Sequence, residues 1–256
     1  MTIITLTGDA GDNIFDTSAL NLPGVTGYEI FAGLGNDRII TNDLPQLIFA
    51  GRGDDYIVSG DGADIVNAGN GNDQVFGKGG DDVLNGAGGN DYIDGGKGND
   101  VINGDSGDDF IFGRKGNNVL EGGAGNDIVN TGDHTSVANG GTGDDLMVAR
   151  LKKGGDHVLT GGEGADTFDF VFQSAKKSAD LTITDFELGV DDFIVGGQTD
   201  LDWAADLLAG ADTFTAEANE AGDAMLDIGF NDTITFDGVA FADFVGYYLS
   251  EALVIG

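Results

Sequence analysis

The sequence predicts an all-β chain: a right-handed parallel β-roll, a solenoid of short stacked strands with a cap at each end. Three observations predict it. A nine-residue unit runs in unbroken phase from Ala32 to Val148 and, after the three residues Ala149 to Leu151, resumes over Lys152–Thr160 and Gly161–Asp169. In those fifteen units the eighth position is apolar every time, from Ile39 to Phe168, and the sixth is Asp in eleven. Glycine, 46 of 256 residues, gathers at the first, second and fourth positions.

Each half of the unit has its own physics. Ala50-Gly-Arg-Gly-Asp-Asp-Tyr-Ile-Val58 and Gly95-Gly-Lys-Gly-Asn-Asp-Val-Ile-Asn103 are typical copies, and a worn one spans Gly8 to Asp16. Positions one to six turn the chain, because glycine reaches positive φ without steric cost. Positions seven to nine are rich in Val, Ile, Leu, Phe and Tyr and form a short strand whose middle residue faces inward. Helix is excluded, since each interior glycine costs about 1 kcal/mol and most units carry two or three. Two units close one flattened coil, which stacks about 4.8 Å from the next.

Composition narrows the function. A net charge of −34 repels nucleic acid and anionic bilayers. With no cysteine there are no disulfides, thiolate nucleophiles or cysteine zinc sites. Glycine lacks the period of three and only Pro23 and Pro45 occur, which excludes collagen; 40% hydrophobic residues exclude a disordered acidic tail. No apolar run reaches the ~18 residues of a membrane span. No cleavable secretory signal is visible, since Arg38 is the first basic residue. Export, if it occurs, is expected to use a route without one.

The stacked fold poses a problem that points to its ligand. One inward side chain per strand buries little apolar area against a backbone ordering cost of about 1–2 kcal/mol per residue. Stacking also aligns the position-six carboxylates about 5 Å apart, so a cation must lie between them. Carboxylates and backbone carbonyls are hard oxygen donors that suit Ca2+ with six to eight ligands; magnesium keeps its waters, and zinc and copper prefer softer donors.

Residues 32–169 resemble the RTX (repeat-in-toxin), hemolysin-type, calcium-binding parallel β-rolls of secreted Gram-negative proteins. The resemblance implies a ligand scheme in which each ion lies between a loop and the loop two units later. The lower loop gives the carbonyls of positions two and four and its Asp; the upper gives those of positions one and three and its Asp. One such site would use Gly69, Gly71 and Asp73 with Gly86, Gly88 and Asp91. The carbonyl ligands include Gly51, Gly53, Gly60, Gly62, Gly77, Gly79, Gly95, Gly104, Gly107, Gly122 and Gly125. Because units alternate sides, one edge carries Asp37, Asp55, Asp73, Asp91, Asp109, Asp127 and Asp145 without a gap, giving six pairs. The other reads Gln46, Asp64, Asp82, Asp100, Asn118 and Ser136, giving two. About eight ions are expected, which would bring the charge from −34 to about −18.

Beyond the array, residues 1–31 are expected to cap the N-terminal end, and residues 170–256 to form a C-terminal capping and secretion-signal region. Leu181–Ile194 reads as two strands joined by a turn, similar to the segment after the roll in serralysin-type proteases. That likeness implies a terminal calcium site from Asp166, Asp185 and Asp191 or Asp192. Ala224–Phe236 alternates like half-buried antiparallel strands. Leu201–Leu208 is helix-compatible, with Trp203 as a core residue, and Glu251–Gly256 is similar to the C-terminal end of type I secretion substrates.

No catalytic site emerges. Gly104-Asp-Ser-Gly-Asp108 carries Ser106 in the repeat phase with no preceding histidine; His134 and His157 lack a metalloprotease motif and mark gaps in the calcium columns. The GxG pairs lack a third glycine, and Lys78 and Lys97 precede glycine rather than Ser or Thr. The expected function is a secreted, non-catalytic calcium-binding protein that folds after export, with calcium and a type I exporter as partners and no surface partner specified. The rivals are an adhesion, surface-layer or ice-binding module, the accessory domain of a larger secreted epimerase, lipase or protease, and a pore-former, which lacks a basic amphipathic helix.

Overall fold

A computed structural model describes residues 2–20, 22–151, 155–172, 180–195, 198–199, 215–218, 220–227, 233–244 and 247. The chain winds between two parallel sheets. Gln46–Arg52, Ile65–Asn70, Val83–Gly88, Val101–Ser106, Val119–Ala124, Ser136–Thr142 and His157–Glu163 lie side by side in a wide sheet. The shorter Arg38–Ile40, Tyr56–Val58, Gln74–Phe76, Tyr92–Asp94, Phe110–Phe112 and Ile128–Asn130 make the facing narrow sheet. Partners are two units apart: Ile65 lies opposite Val83 and Val83 opposite Val101, Gln74 opposite Tyr92 and Tyr92 opposite Phe110. The all-β parallel roll predicted by the repeat is the fold observed.

The period of nine sets the core. Every position-eight side chain from Ile39 to Phe168 is at most 1% exposed, so both sheets contribute one continuous inward column. Each buried Ile, Val or Leu contributes about 1.5–3 kcal/mol. Positions seven and nine point outward, where Tyr56, Phe76, Tyr92 and Phe112 stack along the narrow face with ring centroids 5.3–5.6 Å apart.

Coil length changes where the sequence phase changes. The three residues that break the array lengthen a narrow-sheet strand: Leu146–Leu151 and Thr167–Phe172 each have six residues and pair in full register. Pairing also extends beyond the repeat array. Thr2–Thr7 lies parallel to Val25–Leu34 and Ile14–Asp16 to Arg38–Ile40, so the N-terminal segment stacks as a coil of its own.

At the other end Asp180–Ile183 joins the wide sheet and Asp192–Val195 the narrow one. These are the two strands read in Leu181–Ile194, each continuing the sheet beneath it, which satisfies the edge amides that a hairpin would leave open. Asp223–Asp227 and Thr233–Ala240 pair antiparallel, as their alternation predicts, and Thr233–Ala240 also lies parallel to Asp180–Ile183. Phe186, Phe193, Phe236 and Phe244 pack together over the last coil with centroids 4.9–6.2 Å apart. Leu201–Leu208 with Trp203, and Glu251–Gly256, lie outside the described residues. Among the described residues no helix is long and apolar enough to cross a membrane.

Candidate metal centre

The glycine loops form the two edges between the sheets, and their backbone conformation aims carbonyls into the gap between coils. Position two takes positive φ whether or not it is glycine: Gly51 and Gly69 lie at 121° and 119°, and Lys78, Ala87, Asp105 and Arg114 at 72°, 80°, 72° and 61°. A methyl group on Gly69 would sit 2.0 Å from the carbonyl oxygen of Gly51 one coil below, and one on Gly71 2.0 Å from that of Gly53. Gly107 and Gly125 repeat the second contact, at 2.1 and 2.2 Å from Gly89 and Gly107. Carbonyls of positions two and four therefore point toward the coil above. Position three points the other way: the Gly71 amide donates to Gly88 O at 2.7 Å. On the second edge Gly60 accepts from the Gly79 amide at 3.2 Å, and Gly62 abuts Leu44 O.

Position-six carboxylates close the same gap. Each uses Oδ1 to accept the amide of the column residue one coil below: Asp55 from Asp37, Asp73 from Asp55, Asp91 from Asp73, Asp109 from Asp91 and Asp127 from Asp109, at 2.6–2.8 Å. Asp145 accepts likewise from Asp127 at 2.7 Å, and on the second edge Asp82 from Asp64 and Asp100 from Asp82 at 2.9 and 3.1 Å. The other oxygen, Oδ2, is buried without a hydrogen bond in Asp37, Asp55, Asp64, Asp73, Asp82, Asp91, Asp100, Asp109, Asp127 and Asp145. Asp64 has the Ser59 hydroxyl beside its carboxylate.

These oxygens explain the position-one glycines. Methyl groups on Gly77, Gly86, Gly95, Gly104 and Gly122 would stand 2.2–2.5 Å from Oδ2 of Asp82, Asp91, Asp100, Asp109 and Asp127. At Gly104 the same point lies 2.5 Å from the carbonyl of Gly122, on the coil above. A free carboxylate oxygen and a carbonyl thus converge where the backbone leaves room.

Burial drives the carboxyls far above their ordinary range, and neighbouring carboxylates push several of them further. Asp73, Asp100 and Asp166 rise to about 6, Asp55, Asp64, Asp91, Asp109 and Asp145 to about 7, and Asp82 to about 8. Asp127 and Asp191 rise for the same first cause. Ionised at neutral pH, such a column needs a cation. Its donors are all oxygen and no three carboxylates or imidazoles gather among the described residues, so carbonyls must complete any ligand sphere. That donor set fits calcium.

The second edge stops where its sequence does. Asn118 takes the column position and accepts from the Asp100 amide, but its Nδ2 is buried without a partner where other loops place a carboxylate oxygen. Ser136 and His157 follow, and burial depresses the pKa of His157.

The first edge, by contrast, runs further than the six pairs counted from the unbroken phase. Asp145 donates its amide to Asp166 at 2.9 Å and Asp166 to Asp191 at 3.0 Å. The inserted residues are absorbed in the narrow-sheet strand, which leaves this edge in register. Of the carboxylates expected at the terminal site, Asp191 joins the column and Asp192 is exposed. Asp185 accepts from the amides of Gly161 and Gly162 at 2.9 and 2.8 Å.

One functional column escaped the sequence reading. Position-five side chains accept amides from the coil above: Asn36 from Asp54, Asp54 from Asn72, Asn72 from Asn90, Asn90 from Asp108 and Asn126 from Asp144, at 2.7–3.0 Å. This ladder opposes that of position six, so adjacent Asx residues clamp each loop from both sides. The signal was the adjacent Asn-Asp or Asp-Asp pair in most units.

The comparison with known families agrees with this geometry. The model of the RTX calcium-binding nonapeptide repeat matches the chain in four copies, over residues 46–75, 67–102, 76–111 and 103–133. No curated protein matches the chain. The matched copies coincide with the stacked loops whose carboxylates and carbonyls face each other, and the same loops continue on both sides of them. Residues 46–133 are thus a run of RTX calcium-binding nonapeptide repeats.

Proposed function

We propose that this protein is secreted, non-catalytic and folded by calcium: it leaves the cell unfolded through a type I exporter and forms its β-roll on meeting extracellular calcium. The observation that carries the reading is the line of buried Asp oxygens without hydrogen-bond partners. A buried carboxylate left in that state costs several kcal/mol, and a divalent cation between two of them removes the cost.

In the proposed sites Asp73 and the carbonyls of Gly69 and Gly71 face Asp91 and the carbonyls of Gly86 and Gly88, and the set repeats along both edges. Residues 32–169 are the calcium-binding roll, with residues 1–31 and 170–256 closing it. Calcium supplies the charge that neutralises two carboxylates at once; the two Asx ladders fix the spacing between coils as they stack. Sites of the extracellular class bind at about 10⁻⁴–10⁻³ M, so they are empty in a cytosol of submicromolar calcium and filled outside.

Native mass spectrometry in calcium tests the count. The scheme gives six ions on the first edge and two on the second, and the continuation through the pairs Asp145–Asp166 and Asp166–Asp191 adds up to two more. Eight or more bound ions are expected; fewer than four at saturating calcium would refute the stacking scheme.

A further inference from the structure

The chain has only eleven Lys and Arg residues against 45 Asp and Glu, and five of the eleven line one cleft. Lys78, Lys97, Arg114, Lys115 and Arg150 border a groove of about 410 Å³, within the range of small-ligand sites. Lys78, Lys97, Arg114 and Lys115 come from second-edge loops two units apart and Arg150 from the lengthened narrow-sheet strand, so the groove runs along the solenoid axis over five coils, about 19 Å at the stacking distance of a β-sheet. It extends into the stretch where the sixth position reads Asn118, Ser136 and His157 and the edge has lost its carboxylates.

Three further features set this groove apart from a chance grouping. Lys78 and Arg114 occupy the position-two column at φ of 72° and 61°, where glycine sits without strain. For an L residue that conformation costs about 1–2 kcal/mol; Ala87 and Asp105 share it on the first edge, so what distinguishes this edge is that both residues held there are cationic. Second, Nε of Arg150 is buried without a hydrogen-bond partner at the groove wall. Third, the cations lean on the narrow-face aromatic ladder: Lys78 Nζ lies 5.5 Å from the Phe76 ring centre and the Arg114 guanidinium 4.8 Å from that of Phe112. Asp94 neutralises Arg114 through a 2.8 Å ion pair, and Asp133 also lines the groove. The balance remains positive on a strongly negative molecule.

We propose that this groove binds an acidic polysaccharide, with carboxylate groups on Lys78, Lys97, Lys115 and Arg150 and a sugar ring against Phe76, the rung of the aromatic ladder that lines it. An extended polyanion matches the axial length and the spaced cations together. A single phosphate would use one end of the groove, and a planar bilayer could not enter it.

The test uses the full chain in excess calcium and about 0.15 M salt, titrated calorimetrically with a galacturonate hexasaccharide, with the sugar–calcium heat subtracted. Binding is expected, weakening as salt rises. The doubly substituted Lys78→Gly/Arg114→Gly protein should bind at least tenfold more weakly while unfolding at a higher temperature, because glycine relieves the strained backbone. Arg52→Gln, which removes an exposed cation elsewhere, should bind as the parent does. Equal binding of a neutral glucose hexasaccharide would overturn the proposal, as would full competition by millimolar inorganic phosphate. Absence of galacturonate binding at millimolar concentration would overturn it too, as would stronger retention on phosphatidylglycerol vesicles that the double substitution abolishes.

Discussion

Acid should substitute for calcium in holding the roll together. Nine column carboxyls rise from 3.8 to between about 6 and about 8 in the folded chain, first because they are buried. A tenfold change in an acid's dissociation constant is worth about 1.36 kcal/mol, so ionising one of these groups in the ion-free roll costs about 3–6 kcal/mol. Halving that figure for residual solvation still leaves a total, over nine groups, above the 5–15 kcal/mol of a typical domain. The calcium-free roll is therefore expected to unfold at pH 7.

The sign follows from linkage. Raised folded-state values mean stability that is fully present below the unfolded value of 3.8 and lost as pH rises through about 6 to 8. His157 opposes this, because its folded pKa is lowered and it loses stability as pH falls below about 6.5. It is one group against nine. In chelator, far-UV circular dichroism should show strand signal appearing steeply between about pH 5 and pH 4, with several protons taken up together. The sequence pI of about 4.1 calls for dilute protein and parallel light scattering. A monomer that stays unfolded from pH 8 to pH 3, or one fully folded at pH 8 in chelator, would refute the reasoning.

Two substitutions test the edge assignment. Asp91→Ala removes a carboxylate shared by two first-edge sites, so it should lose two ions and, at calcium one hundred times Kd, about 5 kcal/mol of stability. Ser136→Ala, in a column position without a carboxylate, should leave calcium uptake nearly unchanged; equal losses from the two would reverse the edges. Asn118→Asp places an oxygen where a partnerless amide nitrogen stands and should add at least one second-edge ion by native mass, whereas an unchanged count would show that the carbonyls there are misplaced.

The repeat made most of the architecture legible. Columns of Ile and Val at position eight and Asp at position six imply parallel stacking of like positions, and a coil of two units, one strand in each sheet, makes the interval eighteen residues. The column of Asp carboxylates was readable for the same reason. The carbonyl directions were not, because they depend on the sign of φ, and Lys78 and Arg114 take the glycine conformation despite their side chains. Nor could spacing alone show that three inserted residues extend a strand and leave Asp145 beside Asp166. The opposed position-five ladder was hidden by its own solubility, for an exposed Asn or Asp in a turn looks like a solvated residue until its amide partner is seen. Asp185 illustrates the limit at the chain's end, where no repeat exists to assign its carboxylate to the amides of Gly161 and Gly162.

Calcium-driven folding is the claim on which the rest depends, and one titration addresses it directly. The full chain, stripped of metal at pH 7.5, is followed by far-UV circular dichroism as calcium rises from micromolar to ten millimolar. Each ion joins loops one coil apart, so an occupied site orders the next and the transition should be steep. It should centre at about 10⁻⁴–10⁻³ M, reverse on adding chelator, and fail with magnesium at the same concentrations. A strand signal already complete after exhaustive chelation, or equal folding in magnesium, would contradict the account.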